Sequence, residues 1–243
     1  MSCNNNYIII DKPITNNNIN QNNLNILNND HQSMKCSGFL YAFYKYSHIS
    51  KASFIEKMVS FATASDSIHV AILPATECYL KKKDEQSDEL EVHSISVLDK
   101  TFTAFVFEGY KEQRANTVLN HQYEFIFLPV ENDLVYEEGY NFLINLKGSG
   151  YNYMGLPLTL LPKALRPVVK PQSFVNNNDS CCTPSRVFCS QVGLMLCYKC
   201  NALPMNCNIM NPSCCAPGEL QGILKTKANG IDCSLDSILV LEH

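Results

Sequence analysis

The stretch Ser185-Arg186-Val187-Phe188-Cys189-Ser190-Gln191-Val192-Gly193 places a cysteine where a helix is predicted to begin. Apolar residues continue on nearly every side of this helix through Leu196, which is typical of a helix buried inside a domain. The N-terminus of a helix lowers the pKa of a thiol, because its N–H groups favour the thiolate. Cys189 is therefore the candidate nucleophile, and we expect its end of the helix to face a cleft.

A cysteine nucleophile needs a neighbouring base, and the best candidate is His69. The run Ser67-Ile68-His69-Val70-Ala71-Ile72-Leu73 is typical of a β-strand that carries a single imidazole. Chain order does not decide such chemistry, since a catalytic site is defined by its geometry. We expect His69 and Cys189 to meet although they lie far apart in the sequence.

The pattern around these two residues predicts an α+β fold. Residues 53–62 have capping-box spacing and one apolar face, which predicts a helix before the His69 strand. Runs rich in β-type residues follow at 90–98, 102–108 and 123–130 with polar turns between them, which predicts an antiparallel meander. A second helix is predicted over 134–147, with Asp133 as its cap and with Gly148 and Gly150 as its stop signal.

Composition limits the organisation of the chain and its partners. Residues 1–33 are rich in asparagine and predict a flexible leader, whereas residues 34–243 predict one domain. A net charge of -4 and a pI near 5.9 argue against nucleic-acid binding, which usually requires a basic surface. We expect a cytoplasmic protein with reduced cysteines, because no signal peptide and no bilayer-spanning run is evident. Peripheral contact with a membrane stays open.

At these residues the chain resembles the circularly permuted papain-like hydrolases of the NlpC type. That family includes bacterial cell-wall amidases, lecithin retinol acyltransferase relatives and several viral proteins. The match spans residues 38–224 and includes, besides the histidine strand and the cysteine helix, Phe105-Val106-Phe107-Glu108-Gly109, Gly150-Tyr151-Asn152-Tyr153 and Ala216-Pro217-Gly218-Glu219-Leu220.

The resemblance implies a permuted papain-like fold in which the nucleophile helix lies C-terminal to the sheet. It implies a cysteine hydrolase or acyltransferase that acts on an amide, peptide or ester through a thioester. Peptides, proteins and lipid esters are the implied substrates, and no cofactor or metal is implied. A viral member would act in the host-cell cytoplasm or the virion.

The family also places a third polar residue beside the imidazole, and two positions compete for that role. Glu108 matches the family's glutamate after a hydrophobic strand and is favoured, while His93 lies on a predicted neighbouring strand. Tyr151 and Gln191 are the implied substrate-binding residues. Relatives often carry Asp where Asn152 stands and Glu where Gln191 stands, so contacts along the cleft are expected to differ.

The sequence is compatible with two other classes of function. Cys197-Tyr198-Lys199-Cys200, followed by Cys207, Cys214 and Cys215, predicts a structural zinc module as one alternative. The other alternative is a papain-like fold that serves as an interaction or structural protein with a degenerate site.

Overall fold

One large β-sheet organises the protein in the computed structural model, which describes residues 33–46, 57, 65–84, 87–159, 161, 165, 184–203 and 211–241. The strands are β1 (Met34–Lys45), β2 (Ser67–Lys82), β3 (Leu90–Leu98), β4 (Thr101–Phe105), β5 (Gly109–Gln113), β6 (Tyr123–Pro129), β7 (Gly150–Tyr151), β8 (Arg186–Val187), β9 (Ile231–Cys233) and β10 (Ile238–Leu241). The main path of the large sheet is β10-β3-β2-β1-β6-β9, with β4 and β5 attached at the side of β2. Its pairs are antiparallel except β3 with β10. The predicted α+β class with an antiparallel sheet is confirmed.

The order of the strands differs from the predicted meander. β1 lies between β2 and β6, so the strand that opens the described sheet separates two strands that follow it in sequence. β2 changes partners along its outer side, from β4 at Ile72 to β3 from Ala75 onward. Pro74 stands at this change, opposite Phe39 of β1.

Both faces of the central strands are buried, which explains their nearly continuous apolar sequence. In β1, Phe39, Tyr41 and Phe43 point to one apolar layer, whereas Leu40 and Ala42 point to the other. All five side chains are fully buried. A sheet covered on both sides does not show the alternation of a half-exposed strand. Helical residues, among them Phe142, Leu196 and Leu220, belong to the first of these layers.

The helices whose bounds lie within the described residues are α1 (Asp133–Asn145), α2 (Gly155–Thr159), α3 (Cys189–Lys199) and α4 (Pro217–Lys227). The α1 prediction was correct in substance, but its cap is Asn132, whose Oδ1 accepts the N–H of Val135 at 3.0 Å. Asp133 is the first helical residue instead. Gly148 follows α1 with a φ of +84°, as its predicted stop role requires.

α3 is the central helix, and every residue from Cys189 to Tyr198 is buried. Tyr41 anchors it to β1 by donating a hydrogen bond to the carbonyl of Gly193 at 3.0 Å. A Cβ at Gly193 would lie 2.4 Å from a methyl of Leu220 on α4, so glycine permits this close approach. The predicted buried helix beginning at Cys189 is therefore confirmed.

Several predictions fall outside the described residues or were incomplete. The predicted leader 1–33 lies outside them apart from Ser33, as does the predicted helix 53–62 apart from Lys57, which is helical. The sequence did not predict α4, β9 or β10 as regular elements. Among the helices that the structure describes, none combines the length and apolar character that crossing a bilayer requires.

Candidate active site

The β7–β8 ladder fixes the start of α3. Gly150 pairs with Arg186 and Tyr151 with Val187, and the N–H of Asn152 donates to the carbonyl of Val187 at 3.0 Å. Phe188 is the extended residue before the helix, with φ of -125° and ψ of 166°, and makes no side-chain cap. Cys189 therefore takes the first helical position, where the first-turn N–H groups have no partner within the helix.

The structure brings Cys189 and His69 together. His69 lies near the N-terminal end of β2, opposite Tyr44 of β1, and its ring hydrogen-bonds with the Cys189 thiol. The backbone N–H groups of Val70 and Ser190 also donate to the Cys189 sulfur. A strand and a helix N-terminus thus surround one sulfur atom with three donors, an arrangement that stabilises a thiolate.

These contacts decide the acidity of the thiol. Burial on its own would raise the pKa of Cys189, because a thiolate loses solvation inside the protein. The charge and hydrogen bond of His69 oppose that effect, and the two N–H groups add to the opposition. The net result is a pKa of Cys189 below its ordinary value, which increases the thiolate fraction near neutral pH.

Thr103 makes the contact with the far side of the imidazole, and the sequence did not single it out. Its Oγ1 lies 2.8 Å from Nε2 of His69, and the same hydroxyl donates to the carbonyl of Val70 at 2.8 Å. A hydroxyl has one proton, and a carbonyl can only accept. The Thr103 oxygen must therefore accept a hydrogen bond from Nε2–H of His69.

The two residues predicted for this third role lie elsewhere. Glu108 is exposed in the turn between β4 and β5, where it forms an ion pair with Lys111. His93 is exposed on β3, between residues that pair with Tyr79 and Leu80 of β2. Ten residues of strand separate Tyr79 from His69, which corresponds to roughly 30 Å. The polar contact that the structure shows on the ring is with Thr103, whose register against β2 cannot be predicted from a local pattern.

Tyr151 reaches the site, as predicted, whereas Gln191 has a different environment. Tyr151 lines the cleft at Cys189, and burial, together with the charge of the Cys189 thiolate, raises its pKa well above the usual range. Gln191 accepts a hydrogen bond from Nδ2 of Asn152 at 3.1 Å and donates to Oγ of Ser213 at 3.3 Å. Gln191 is buried and ties α3 to two loops, which differs from its predicted contact with substrate.

A cleft of about 250 Å³ opens beside the Cys189 and His69 pair. The described residues in its walls are mostly apolar or aromatic and include Tyr44, Ile68, Ala104, Phe105, Val106, Tyr123, Phe188 and Pro217. The ring of Phe105 stacks on His69 with 5.3 Å between centroids. Among the described lining residues, His69 is the single basic side chain and no carboxylate is present. An uncharged group would lose the least solvation on entering this cleft.

The cysteines of the zinc alternative are mostly buried in the core around α3. The Cys197 sulfur lies 3.4 Å from the Tyr41 hydroxyl, and burial raises the pKa of Cys197 to about 12. Burial also raises the pKa of Cys200 well above its ordinary value, which opposes the thiolate form that zinc requires. Within the described part of the chain, no three His, Cys, Asp or Glu residues are arranged to hold a metal. Cys207 lies outside the described residues.

No family model matches the chain, and searches of curated proteins and of solved structures found no match either. The chemistry of the site itself is therefore what indicates a function. A thiol of lowered pKa, an imidazole in contact with it and an adjoining cleft are the parts that nucleophilic catalysis by cysteine requires.

Proposed function

We propose that this protein is a cysteine-dependent hydrolase or acyltransferase that cleaves an amide, peptide or ester bond through a thioester intermediate. One observation carries the proposal: the hydrogen bond between His69 and the Cys189 thiol at the N-terminus of a buried helix. Buried structural cysteines have raised pKa values, as Cys197 and Cys200 do here, whereas Cys189 has a lowered one.

We also propose the permuted papain-like fold as the architecture. Three features support it: a histidine on a strand that precedes the cysteine in the chain, an antiparallel sheet that carries that strand, and a buried nucleophile helix that follows the sheet strands β1 to β6. Papain-like chemistry depends on the contact between the two residues and not on their order.

The first chemical step is formation of the thioester. The imidazole holds the thiol proton, and the Cys189 sulfur attacks the carbonyl carbon of the substrate. Because Thr103 accepts from Nε2–H, the lone pair for the thiol proton is on Nδ1 of His69. As the tetrahedral intermediate collapses, His69 gives this proton to the leaving nitrogen or oxygen, and the acyl group stays on sulfur.

Negative charge develops on the substrate oxygen during this step and needs hydrogen-bond donors. The N–H of Cys189 belongs to the first turn of α3, where N–H groups have no helical partner, and Cys189 lines the cleft. We assign the Tyr151 hydroxyl as the second donor, because it lies in the same cleft and its raised pKa keeps it protonated. Water or another nucleophile, activated by His69, then releases the acyl group.

The residues that line the cleft favour a substrate with an apolar acyl group. Its described walls offer aromatic and aliphatic surface and lack a cation that could pair with an acidic substrate group, apart from His69 itself. Burying an unpaired carboxylate there would cost several kcal/mol. This preference is compatible with a hydrophobic peptide side chain or with a lipid ester.

Trapping of the acyl-enzyme tests the proposed function directly. The full chain is mixed with p-nitrophenyl butyrate, quenched in acid within seconds and analysed by intact mass and peptide mapping. The expected result is one butyryl group on Cys189, which is absent from Cys189→Ser and strongly reduced in His69→Ala. Acylation that spreads over several cysteines, or that His69→Ala leaves unchanged, would favour an interaction protein with a degenerate site.

A further inference from the structure

Cys36 and Cys78 form a cross-strand pair in the sheet, on the part of β2 that extends away from His69. They are direct register partners, with Cys36 on β1 and Cys78 on β2, and both are reduced in the structure. Residues directly opposite each other in an antiparallel ladder have Cα atoms roughly 4.5–5.5 Å apart. Disulfides bridge Cα separations of about 4.4–6.8 Å, so the backbone already has the required spacing.

The two thiols also contact each other. A hydrogen bond joins their side chains, and both belong to the apolar layer on the face of the sheet away from α3. Cys78 is fully buried, whereas Cys36 is half-buried and reaches solvent. The hydrogen bond with Cys36, followed by burial, raises the pKa of Cys78 far above its ordinary value. The Cys36 sulfur can therefore react with an oxidant from solution, and the buried Cys78 sulfur can then react with Cys36.

We propose that Cys36 and Cys78 are a site of reversible oxidation that closes to a cross-strand disulfide in the presence of a peroxide. In the first step the Cys36 thiolate attacks hydrogen peroxide, which gives a sulfenic acid and hydroxide. The Cys78 sulfur then attacks the sulfenyl sulfur, and the displaced hydroxide leaves with the Cys78 proton as water. Two thiols and one peroxide yield one disulfide and two waters, and a dithiol reductant restores the thiols.

The other cysteines near this pair are less well placed. Cys233 interacts electrostatically with Cys78, but its sulfur donates to the carbonyl of Ser234 at 3.4 Å and burial raises its pKa to about 12. Cys197 in α3 and Cys200, which follows the helix, are both buried, so neither meets an oxidant first. Cys36 combines partial exposure with a thiol already in hydrogen-bond contact.

The sequence permits an unambiguous test, because trypsin separates the three thiols. Cleavage after Lys35, Lys45, Lys57, Lys81 and Lys227 leaves Cys36, Cys78 and Cys233 each as the single cysteine of its own peptide. The full chain is treated with hydrogen peroxide, blocked with N-ethylmaleimide, digested without reductant and analysed by mass spectrometry. We expect the peptides 36–45 and 58–81 to appear joined, with the loss of two hydrogens, and to separate with dithiothreitol.

Matched variants make this result decisive. Cys233→Ser should still form the cross-link, and Cys36→Ser should leave Cys78 reduced and blocked by N-ethylmaleimide. The oxidised chain should unfold at a temperature about 5–10 °C higher than the reduced chain, since the bond closes a long loop. Accumulation of sulfinic acid on Cys36 beside a blocked Cys78, or a main cross-link to Cys233, would overturn the proposal. These outcomes do not depend on acylation of Cys189.

Discussion

Thr103 accepts a hydrogen bond from His69 across 2.8 Å, and in doing so it sets which ring nitrogen faces the thiol. The Thr103 hydroxyl donates its proton to the carbonyl of Val70. The backbone N–H of the same residue, Val70, donates to the Cys189 sulfur. Val70 and Thr103 therefore orient both sides of the pair from neighbouring strands. A neutral hydroxyl therefore makes the ring contact for which Glu108 and His93 were the predicted candidates.

Replacing Thr103 with valine should slow acylation of Cys189 by about 10- to 100-fold, which corresponds to a lost hydrogen bond to a charged group. Valine keeps the shape of the buried side chain, and Thr103→Ser keeps the hydroxyl as a matched control. The midpoint of the pH–rate curve for Cys189 alkylation should rise in the valine variant, because the imidazolium that favours the thiolate loses a partner. A loss of rate with an unmoved midpoint would indicate a packing role alone.

Alkylation of Cys189 by iodoacetamide should persist at lower pH than alkylation of glutathione. A lowered thiol pKa means that the thiolate is retained as the pH falls below about 8.5, the ordinary midpoint for cysteine. His69→Ala removes the opposing charge and hydrogen bond, so burial should then move the midpoint above that of glutathione. Peptide-resolved labelling between pH 5 and 10 measures both shifts. An identical curve in the variant would contradict the thiol–imidazole pair.

Local patterns were sufficient to predict the two central residues. Both predictions used local features of the sequence: the apolar residues of the helix that begins at Cys189, and the short β-type run that contains His69. The bounds of β3, Leu90–Leu98, also agree with the run that predicted it. Such elements are fixed by side-chain periodicity, which a sequence displays directly.

Contacts between distant segments could not be predicted in this way. Thr103 faces His69 only because β4 pairs with β2 at Ile72 and Phe102, and no turn connects those two strands directly. The parallel pairing of β10 with β3 and the contacts of Gln191 with Asn152 and Ser213 are equally non-local. A register shift of one residue would turn Thr103 to the other face of the sheet.

Glu108→Gln should leave Cys189 acylation within about twofold of the unmodified chain. The carboxylate is exposed and pairs with Lys111, and exposed ion pairs contribute about 0–1 kcal/mol. Steady-state hydrolysis of p-nitrophenyl butyrate provides the measurement, with Thr103→Val as the positive control for loss of the third contact. A drop of tenfold or more would return Glu108 to the role that the family resemblance implied.

Gln191→Ala should reduce stability more than activity. The buried amide bridges Asn152 and Ser213, and leaving these partners unsatisfied costs about 1–3 kcal/mol. Urea unfolding should show the loss, while the KM for the butyrate ester should change little. Asn152→Ala, which removes one end of the bridge, should have a similar effect. A large rise in KM with unchanged stability would instead support the substrate contact that the sequence predicted.

Tyr151→Phe should lower kcat by about 100- to 1,000-fold, the range that the loss of one oxyanion donor produces, with little change in KM. The variant keeps the ring and its edge-on contact with Tyr153, at 5.1 Å between centroids, so packing of the loop should be preserved. Iodoacetamide labelling is the control, because alkylation of Cys189 forms no oxyanion and should continue at a similar rate. If labelling and ester turnover fall together, the hydroxyl acts on the thiol and not on the substrate oxygen.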